Sequence, residues 1–320
     1  MGLSAWRPER SGSGPDPALD AWRAGVTRRL AALGYGTPRQ FARGNVAVLY
    51  VATSPSGERV AIRIPDPFRA KARERVSLGN WLALKLAVAL LPRHPNLVRF
   101  HAAGCLRVDG ATGAAARVLY TVMDYVDGAP LLECLASESF RAGGMARASR
   151  IVLDVLAGWS ALYRRGLRKG DLSPRNVMVE GKTGRAVLVD LHLSPRFLRP
   201  AVGVRKFRCT LRALLTGEYE DLRGPYPPVP IAHALACWCP AGDDPVTRRA
   251  LEDWIMFDAA LGEGGCLAGA TPRALLAAAC AIASRHGVAV GAPGPPRRLW
   301  RRLRRPGHGL PEEPTYPRET

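Results

Sequence analysis

The chain has 320 residues, 47% of them hydrophobic, which is enough apolar sequence for one large domain or two lobes. Its 46 Lys and Arg against 27 Asp and Glu give a formal net charge of +19, which favours phosphates, nucleic acid or acidic proteins as partners. A GC-rich genome would produce the same arginine-rich composition. Seven cysteines without framework spacing and a longest apolar run of residues 81–91, interrupted by Lys85, argue against a disulfide scaffold and a membrane span, so an intracellular protein is expected.

The first elements in chain order are β-rich. The N-terminal segment at 1–20 is predicted to be disordered, since residues 1–18 are rich in Gly, Ser, Pro and Arg, and a helix is predicted over 19–33. Two apolar runs within residues 44–64, separated by the turn sequence "SPSG", predict a hairpin. A helical stretch over 67–91 follows, and Pro92 ends it.

The second half of the chain favours helices. A strand pair over 96–104 and 117–126 precedes a long helix at 146–165, and a strand within 185–194 is predicted to end at Asp190. The remainder, to about residue 287, reads as mostly helical. Strands followed by helices predict an α+β fold with two lobes. The predicted parts are an N-lobe at 21–127, a C-lobe at 128–290 and a basic Pro/Arg-rich tail at 291–320.

One short stretch carries candidate chemistry. In "RKGDLSPRNVMV", residues 168–179, Asp171 lies five residues before Asn176, and an apolar run follows. A loop with this spacing can direct both side chains at one point, where Asp accepts a proton from an attacking hydroxyl and Asn binds a metal ion. Asp190 at a strand end supplies a second oxygen ligand for the metal. The alternative interpretation is an ordinary polar turn before a strand.

The order of motifs resembles that of the eukaryotic-type protein kinases. "GDLSPRNVMV" resembles the catalytic-loop motif H-R-D-L-K-P-x-N, "ERVAIRI" resembles V-A-I-K, and "HPNLV" matches a frequent kinase motif. The resemblance implies a bilobal protein-kinase-like fold with a β-rich N-lobe and an α-helical C-lobe, and ATP and Mg²⁺ as cofactors. It makes Asp171 the catalytic base and Asn176 and Asp190 the metal ligands. The ATP-binding residues that it implies are Gly44, Ala47, Ala61, Arg63, Asp124 and Tyr125.

A narrower resemblance concerns the conserved herpesvirus Ser/Thr protein kinases. Ser173 in "DLSPRN" and the ending "DLHLS" after the last strand resemble their versions of the two motifs. This resemblance implies a viral enzyme located in the host nucleus or the virion.

The chain also departs from the kinase pattern. Arg63 occupies the position of the strand lysine, and arginine is bulkier, with a more dispersed charge. Ala42 and Ala47 replace two glycines of the glycine-rich turn, and His192 replaces the Gly of D-F-G. The helix Glu that pairs with the strand lysine is not evident.

Three functions remain open from the sequence. The first is a kinase that transfers the γ-phosphoryl group of ATP to Ser or Thr of proteins, and the second is a pseudokinase scaffold. The third is a small-molecule phosphotransferase, because "KGDLSPRN" also resembles the loop of the aminoglycoside-phosphotransferase-like enzymes. The basic stretch at 195–208 favours acidic or already phosphorylated protein substrates, and the tail is the one candidate nucleic-acid contact.

Overall fold

A β-rich lobe precedes a helical lobe along the chain, as the α+β prediction required. The computed structural model describes residues 17–43, 47–66, 68, 88–109, 115–167, 171–191, 200–220, 229–239, 244–262 and 265–289. Within the described residues, no helix is long and apolar enough to cross a membrane.

The N-lobe consists of one helix and a five-stranded antiparallel sheet, in the spatial order β1-β2-β3-β5-β4. Its elements are α1 (Pro17–Ala32), β1 (Gly36–Arg43), β2 (Ala47–Thr53), β3 (Arg59–Pro65), β4 (Phe100–Asp109) and β5 (Ala115–Asp124). The predicted hairpin is the β2–β3 pair. Most of the predicted helix at 67–91 lies outside the described residues. Within the part that is described, residues 88–90 are helical.

Two predictions for the N-lobe were wrong. Strand β1 was missed, because Gly36 and Pro38 in its first half mark turns rather than strands in a sequence. Residues 17–20, at the end of the segment predicted to be disordered, belong to α1, which begins at a proline two residues before the helix predicted over 19–33. Leu19 is only 6% exposed, so its burial against the sheet fixes a segment that composition alone assigns to a flexible terminus.

Helix α1 covers one face of the N-lobe sheet. Trp22, Val26 and Leu30 are buried there, and Trp22 packs edge-on against Phe68 with ring centroids 6.2 Å apart. The core of this face also contains Val108 on β4. Since α1 occupies this face, the opposite face of the sheet is the one that looks towards the C-lobe.

The C-lobe is built around one long helix. Its helices are α2 (Leu131–Leu135), α3 (Glu138–Arg141), α4 (Gly144–Arg164), α5 (Pro200–Thr216), α6 (Ile231–Trp238), α7 (Pro245–Leu261) and α8 (Pro272–Arg285). Helix α4 matches the helix predicted at 146–165, and its apolar residues are buried at helical spacing. Trp159 on α4, Phe207 on α5 and Phe257 on α7 form a chain of ring contacts with centroids 6.1 and 6.5 Å apart.

The C-lobe also contains a small second sheet. It contains β6 (Gly128–Pro130), β7 (Val177–Glu180) and β8 (Ala186–Leu188), all antiparallel. Strand β8 ends at Leu188, and not at Asp190 as predicted. Asp190 has a φ of +54°, in the left-handed region that a strand cannot include. The chain therefore turns sharply where the predicted metal ligand lies.

Candidate active site

A cleft of about 360 Å³ lies between the N-lobe sheet and the small sheet of the C-lobe. Five of the predicted site residues line it, namely Ala61, Arg63, Asp124, Tyr125 and Asp190. Ala47 is fully buried on β2 and is not among the lining residues, and Gly44 lies outside the described residues. His192 also lies outside the described residues.

Apolar side chains that the sequence analysis did not select form the two walls of the cleft. Leu49 and Met123 come from the N-lobe sheet, and Met178 comes from β7 below. Phe41 adds an aromatic ring at the outer edge. Leu49 lies two residues after Ala47 and therefore on the same face of β2, which is the signal in the sequence that could have identified it. The opposing wall is set by tertiary packing.

The loop with Asp171 and Asn176 is fixed by its own hydrogen bonds. The Asn176 side-chain amide donates to the Asp171 carbonyl at 3.2 Å, and the Ser173 backbone N–H donates to Asp171 Oδ1 at 3.3 Å. The Thr210 hydroxyl on α5 donates to the Leu172 carbonyl. The loop thus ends in a short 3-10 turn, Pro174–Asn176, and leads directly into β7.

A backbone hydrogen bond joins this loop to the segment that carries Asp190. The Val189 N–H donates to the Asn176 carbonyl at 2.9 Å, so one predicted metal ligand, Asn176, is bonded to the residue directly before the other, Asp190. Asn176 is fully buried, and its Oδ1 has no hydrogen-bond partner. A buried oxygen without a donor costs roughly 1–3 kcal/mol. A cation at this position would remove that cost.

The available donors suit Mg²⁺. Mg²⁺ prefers oxygen ligands and is usually held by one or two protein groups together with substrate phosphates and waters. Asn176 Oδ1 and the Asp190 carboxylate match this description. The described residues contain no cluster of three or more His, Cys, Asp or Glu side chains that could hold a metal by themselves.

Arg63 lies on β3 at the inner end of the cleft. Its Nε is 3.9 Å from Asp190 Oδ1, and both side chains are largely buried. The pair brings a cation of the N-lobe to Asp190, the predicted metal ligand of the C-lobe. The guanidinium therefore serves as a positive group beside the candidate Mg²⁺ site.

The connection between the lobes is held by side chains of the N-lobe. Asp124 Oδ1 lies 2.6 Å from His101 Nε2, and the Asp124 N–H donates to the Arg99 carbonyl at 2.9 Å. The Arg59 guanidinium lies 3.8 Å from the centre of the Tyr125 ring. The side chains of Asp124 and Tyr125 and the Asp124 N–H are therefore engaged within the protein, which leaves the backbone of Tyr125 and Val126 to meet a ligand in the cleft.

Sequence comparison finds protein kinases. The chain is 28% identical over 162 residues to CBL-interacting protein kinase 17 of Oryza sativa subsp. japonica, covering 50% of this chain and 32% of the relative. It is 31% identical over 166 residues to CBL-interacting protein kinase 20 of the same organism, covering 50% of this chain and 33% of the relative. The chain therefore spans about a third of the length of these relatives. No protein-family model matches the chain.

Structural comparison finds kinase domains. The Mycobacterium tuberculosis PknI kinase domain aligns with a TM-score of 0.53 at 18% identity, over 78% of this chain and 96% of that domain. The pseudokinase DRIK1, described as drought responsive inactive kinase 1, aligns with a TM-score of 0.55 at 16% identity, over 82% of this chain and 95% of its own. These structures confirm the predicted bilobal kinase-like fold. The chain therefore has the fold of these kinase domains and, over half of its length, is similar in sequence to protein kinases.

Proposed function

We propose that the chain is an ATP-dependent protein kinase that transfers the γ-phosphoryl group to Ser or Thr hydroxyls. The observation that carries the proposal is the buried, unpartnered Oδ1 of Asn176, on the loop of Asp171 and hydrogen-bonded through its backbone to the segment of Asp190. One loop thus supplies both a base and a metal ligand. The protein kinases among the relatives support the choice of a protein acceptor.

The nucleotide would bind in the cleft. Leu49 and Met123 above and Met178 below supply an apolar slot for a flat base, and the backbone from Asp124 to Val126 runs along its edge. Arg63 would face the phosphates beside Asp190. Asn176 Oδ1 and the Asp190 carboxylate would hold Mg²⁺, which when bound neutralises charge on the phosphate oxygens.

Asp171 would act on the acceptor. Its carboxylate accepts the proton of the attacking hydroxyl as the oxygen bonds to the γ-phosphorus and the bond to the β-phosphate oxygen breaks. The Ser173 N–H and the Asn176 amide hold the loop, so the carboxylate is oriented before the substrate arrives. Such orientation lowers the barrier because no reorganisation is required during the reaction.

A second candidate function is a small-molecule phosphotransferase. Only nine residues, 191–199, connect Asp190 to α5, and Thr210 of α5 packs on the loop of Asp171. So short a connection leaves little chain to support an extended peptide, which favours a compact acceptor. A pseudokinase is the third candidate, favoured by Arg63 in place of lysine and by the likeness to DRIK1.

The viral assignment stays a prediction. It rests on Ser173 and on the sequence after Asp190, and it carries the nuclear or virion location with it. A contact of the basic tail with nucleic acid also stays a prediction, since residues 291–320 lie outside the described residues.

The test is transfer of labelled γ-phosphate from Mg-ATP by the wild type and the Asp171→Asn variant. The acceptors are a basic protein, an acidic protein and an aminoglycoside amine, and nucleotide binding is followed by thermal shift. A working kinase loses roughly 10²-fold or more of its transfer rate in the variant and keeps its ATP-induced shift. Asp20→Asn on the exposed face of α1 is the matched control.

The acceptor panel separates the candidates. Transfer to the proteins alone supports the kinase, and transfer to the amine alone supports the phosphotransferase. ATP binding without any transfer supports the pseudokinase. Transfer that is equal in wild type and Asp171→Asn contradicts the assignment of the base.

A further inference from the structure

We propose that Arg175 recognises a carboxylate or phosphate group on the protein acceptor, close to the hydroxyl that receives the phosphoryl group. This inference rests on the proposed kinase function, and it concerns which proteins the site accepts. It assigns to one side chain a preference for acidic or phosphorylated substrates that the overall charge of the chain only suggests.

Arg175 lies between the two groups that define the chemistry. It occupies the 3-10 turn Pro174–Asn176, directly before the amide ligand and four residues after Asp171. Four residues span at most about 14 Å even when fully extended, and this loop is folded back by the Asn176–Asp171 hydrogen bond. The guanidinium is therefore within reach of an acceptor chain whose hydroxyl lies at Asp171.

An aromatic ring holds the side chain in place. The Arg175 guanidinium carbon lies 5.0 Å from the centre of the Tyr219 ring, and the side chain is half-buried. Its Nε is buried without a hydrogen-bond partner. The ring contact is worth roughly 0.5–1 kcal/mol and fixes the orientation of the fork, but it does not neutralise the charge.

The charge of Arg175 is not balanced by a carboxylate among the described residues, whereas several other buried or half-buried arginines are paired. Arg43 binds Asp66 at 2.6 Å, and Arg208 and Arg212 bind Asp258 at 2.8 and 3.1 Å. Glu218 and Glu220 flank Tyr219 in the sequence but are exposed and form no ion pair with Arg175.

The chemistry of the fork defines the partner. A planar guanidinium donates two parallel hydrogen bonds to a carboxylate or a phosphate, and such charge-assisted bonds are about twice as strong as neutral ones. A Glu, Asp or phosphoserine within a few residues of the acceptor hydroxyl would supply the missing anion. Burial of one side of the guanidinium by Tyr219 strengthens that attraction, because it lowers the local dielectric.

The experiment measures peptide binding with Mg²⁺ and a non-hydrolysable ATP analogue, by fluorescence anisotropy. Four labelled serine peptides differ only near the serine, which is flanked by Ala, Glu, phosphoserine or Lys. We expect the wild type to bind the Glu and phosphoserine peptides at least tenfold more tightly than the Ala peptide. Arg175→Glu is expected to lose this preference and to favour the Lys peptide.

Arg273→Glu is the matched control, because Arg273 is an exposed arginine on α8 and the variant changes the net charge equally. It is expected to keep the wild-type preference, which separates a local effect from the general attraction of a basic protein. Thermal melts of both variants show that each is folded. The Glu and phosphoserine peptides show which anion is preferred.

The inference is overturned if the preference for the Glu and phosphoserine peptides survives in Arg175→Glu or is lost equally in Arg273→Glu. It is also overturned if none of the four peptides binds measurably. Phosphate transfer measured in parallel distinguishes the two proposals. Selective binding without transfer contradicts the kinase activity alone, and transfer without selectivity contradicts the role of Arg175 alone. Where transfer occurs, Arg175→Glu is expected to raise KM for the acidic peptides with kcat little changed.

Discussion

The backbone N–H of Val189 donates to the carbonyl of Asn176 at 2.9 Å. This bond joins the loop that carries the candidate base to the segment that carries Asp190, a candidate metal ligand. The two residues are 13 positions apart in the sequence, on either side of the β7–β8 pair. The hydrogen bond brings the residue before Asp190 against the residue that carries the buried, unpartnered Oδ1. The candidate metal site is therefore a consequence of strand pairing.

The first prediction concerns Asn176 and Mg²⁺. We expect Asn176→Ala to raise the Mg²⁺ concentration needed for half-maximal phosphate transfer by about tenfold or more, since it removes an oxygen ligand. The measurement is a Mg²⁺ titration at fixed ATP. An unchanged Mg²⁺ requirement with a reduced rate would show that Asn176 only supports the loop through its bond to the Asp171 carbonyl.

The second prediction concerns the charge of Arg63. We expect Arg63→Met to weaken ATP binding by about tenfold, because one phosphate-facing charge at about 4 Å is worth roughly 1–4 kcal/mol. Arg63→Lys keeps the charge and is expected to bind ATP within about threefold of wild type. Isothermal titration of the nucleotide measures both. Equal losses in the two variants would show that the arginine fork, and not its charge, binds the phosphates.

The third prediction concerns the buried carboxylate of Asp258. It accepts two hydrogen bonds from Arg208, at 2.8 and 3.1 Å, and one from Arg212 at 3.1 Å, which clamps α5 to α7. We expect Asp258→Ala to lower the free energy of unfolding by about 3–5 kcal/mol, because two cations lose their buried partner. Chemical denaturation measures this loss.

Asp253→Ala is the control for that prediction. Asp253 lies on the same helix, but its ion pairs with Arg285 and His286 are partly exposed. Its removal is expected to cost about 1 kcal/mol or less. A similar loss in both variants would show that burial does not govern the strength of the Asp258 clamp.

The fourth prediction concerns pH. Asp154 on α4 accepts the Ala186 N–H at 2.8 Å, and burial raises the pKa of its carboxyl above the ordinary value of 3.8. The folded state thus binds this proton more tightly than the unfolded chain does. The stability that protonation provides is complete below pH 3.8 and is lost as the pH rises through the folded pKa.

Asp154→Asn removes this titration. We expect the free energy of unfolding of the wild type, relative to the variant, to decrease as the pH rises from about 4 to 7. Denaturant unfolding at several pH values measures the difference. A relative stability that increases over this range would mean that the hydrogen bond from Ala186 outweighs the burial of the charge.

The sequence by itself determined the parts of the molecule whose patterns are local. β-rich apolar runs on either side of a turn sequence predicted β2 and β3. A long helical pattern predicted α4, because side-chain burial there follows the period of the helix. The spacing of Asp171 and Asn176 predicted one loop that carries both the candidate base and the candidate metal ligand, because residues only five positions apart in a loop lie close together. The order of strands and helices predicted the two-lobed α+β fold.

Tertiary structure decided the rest. Strand β1 and the first turn of α1 are stabilised by the sheet on which they pack, which no local pattern records. The sharp turn at Asp190 and the contact of Arg63 with that residue depend on the approach of two lobes. The contact of the Arg175 guanidinium with the Tyr219 ring is of the same kind, because Tyr219 follows Arg175 by more than 40 positions in the sequence. Contacts between distant segments depend on the packing of the whole chain, so the geometry of the site could not be predicted from the sequence of its loop.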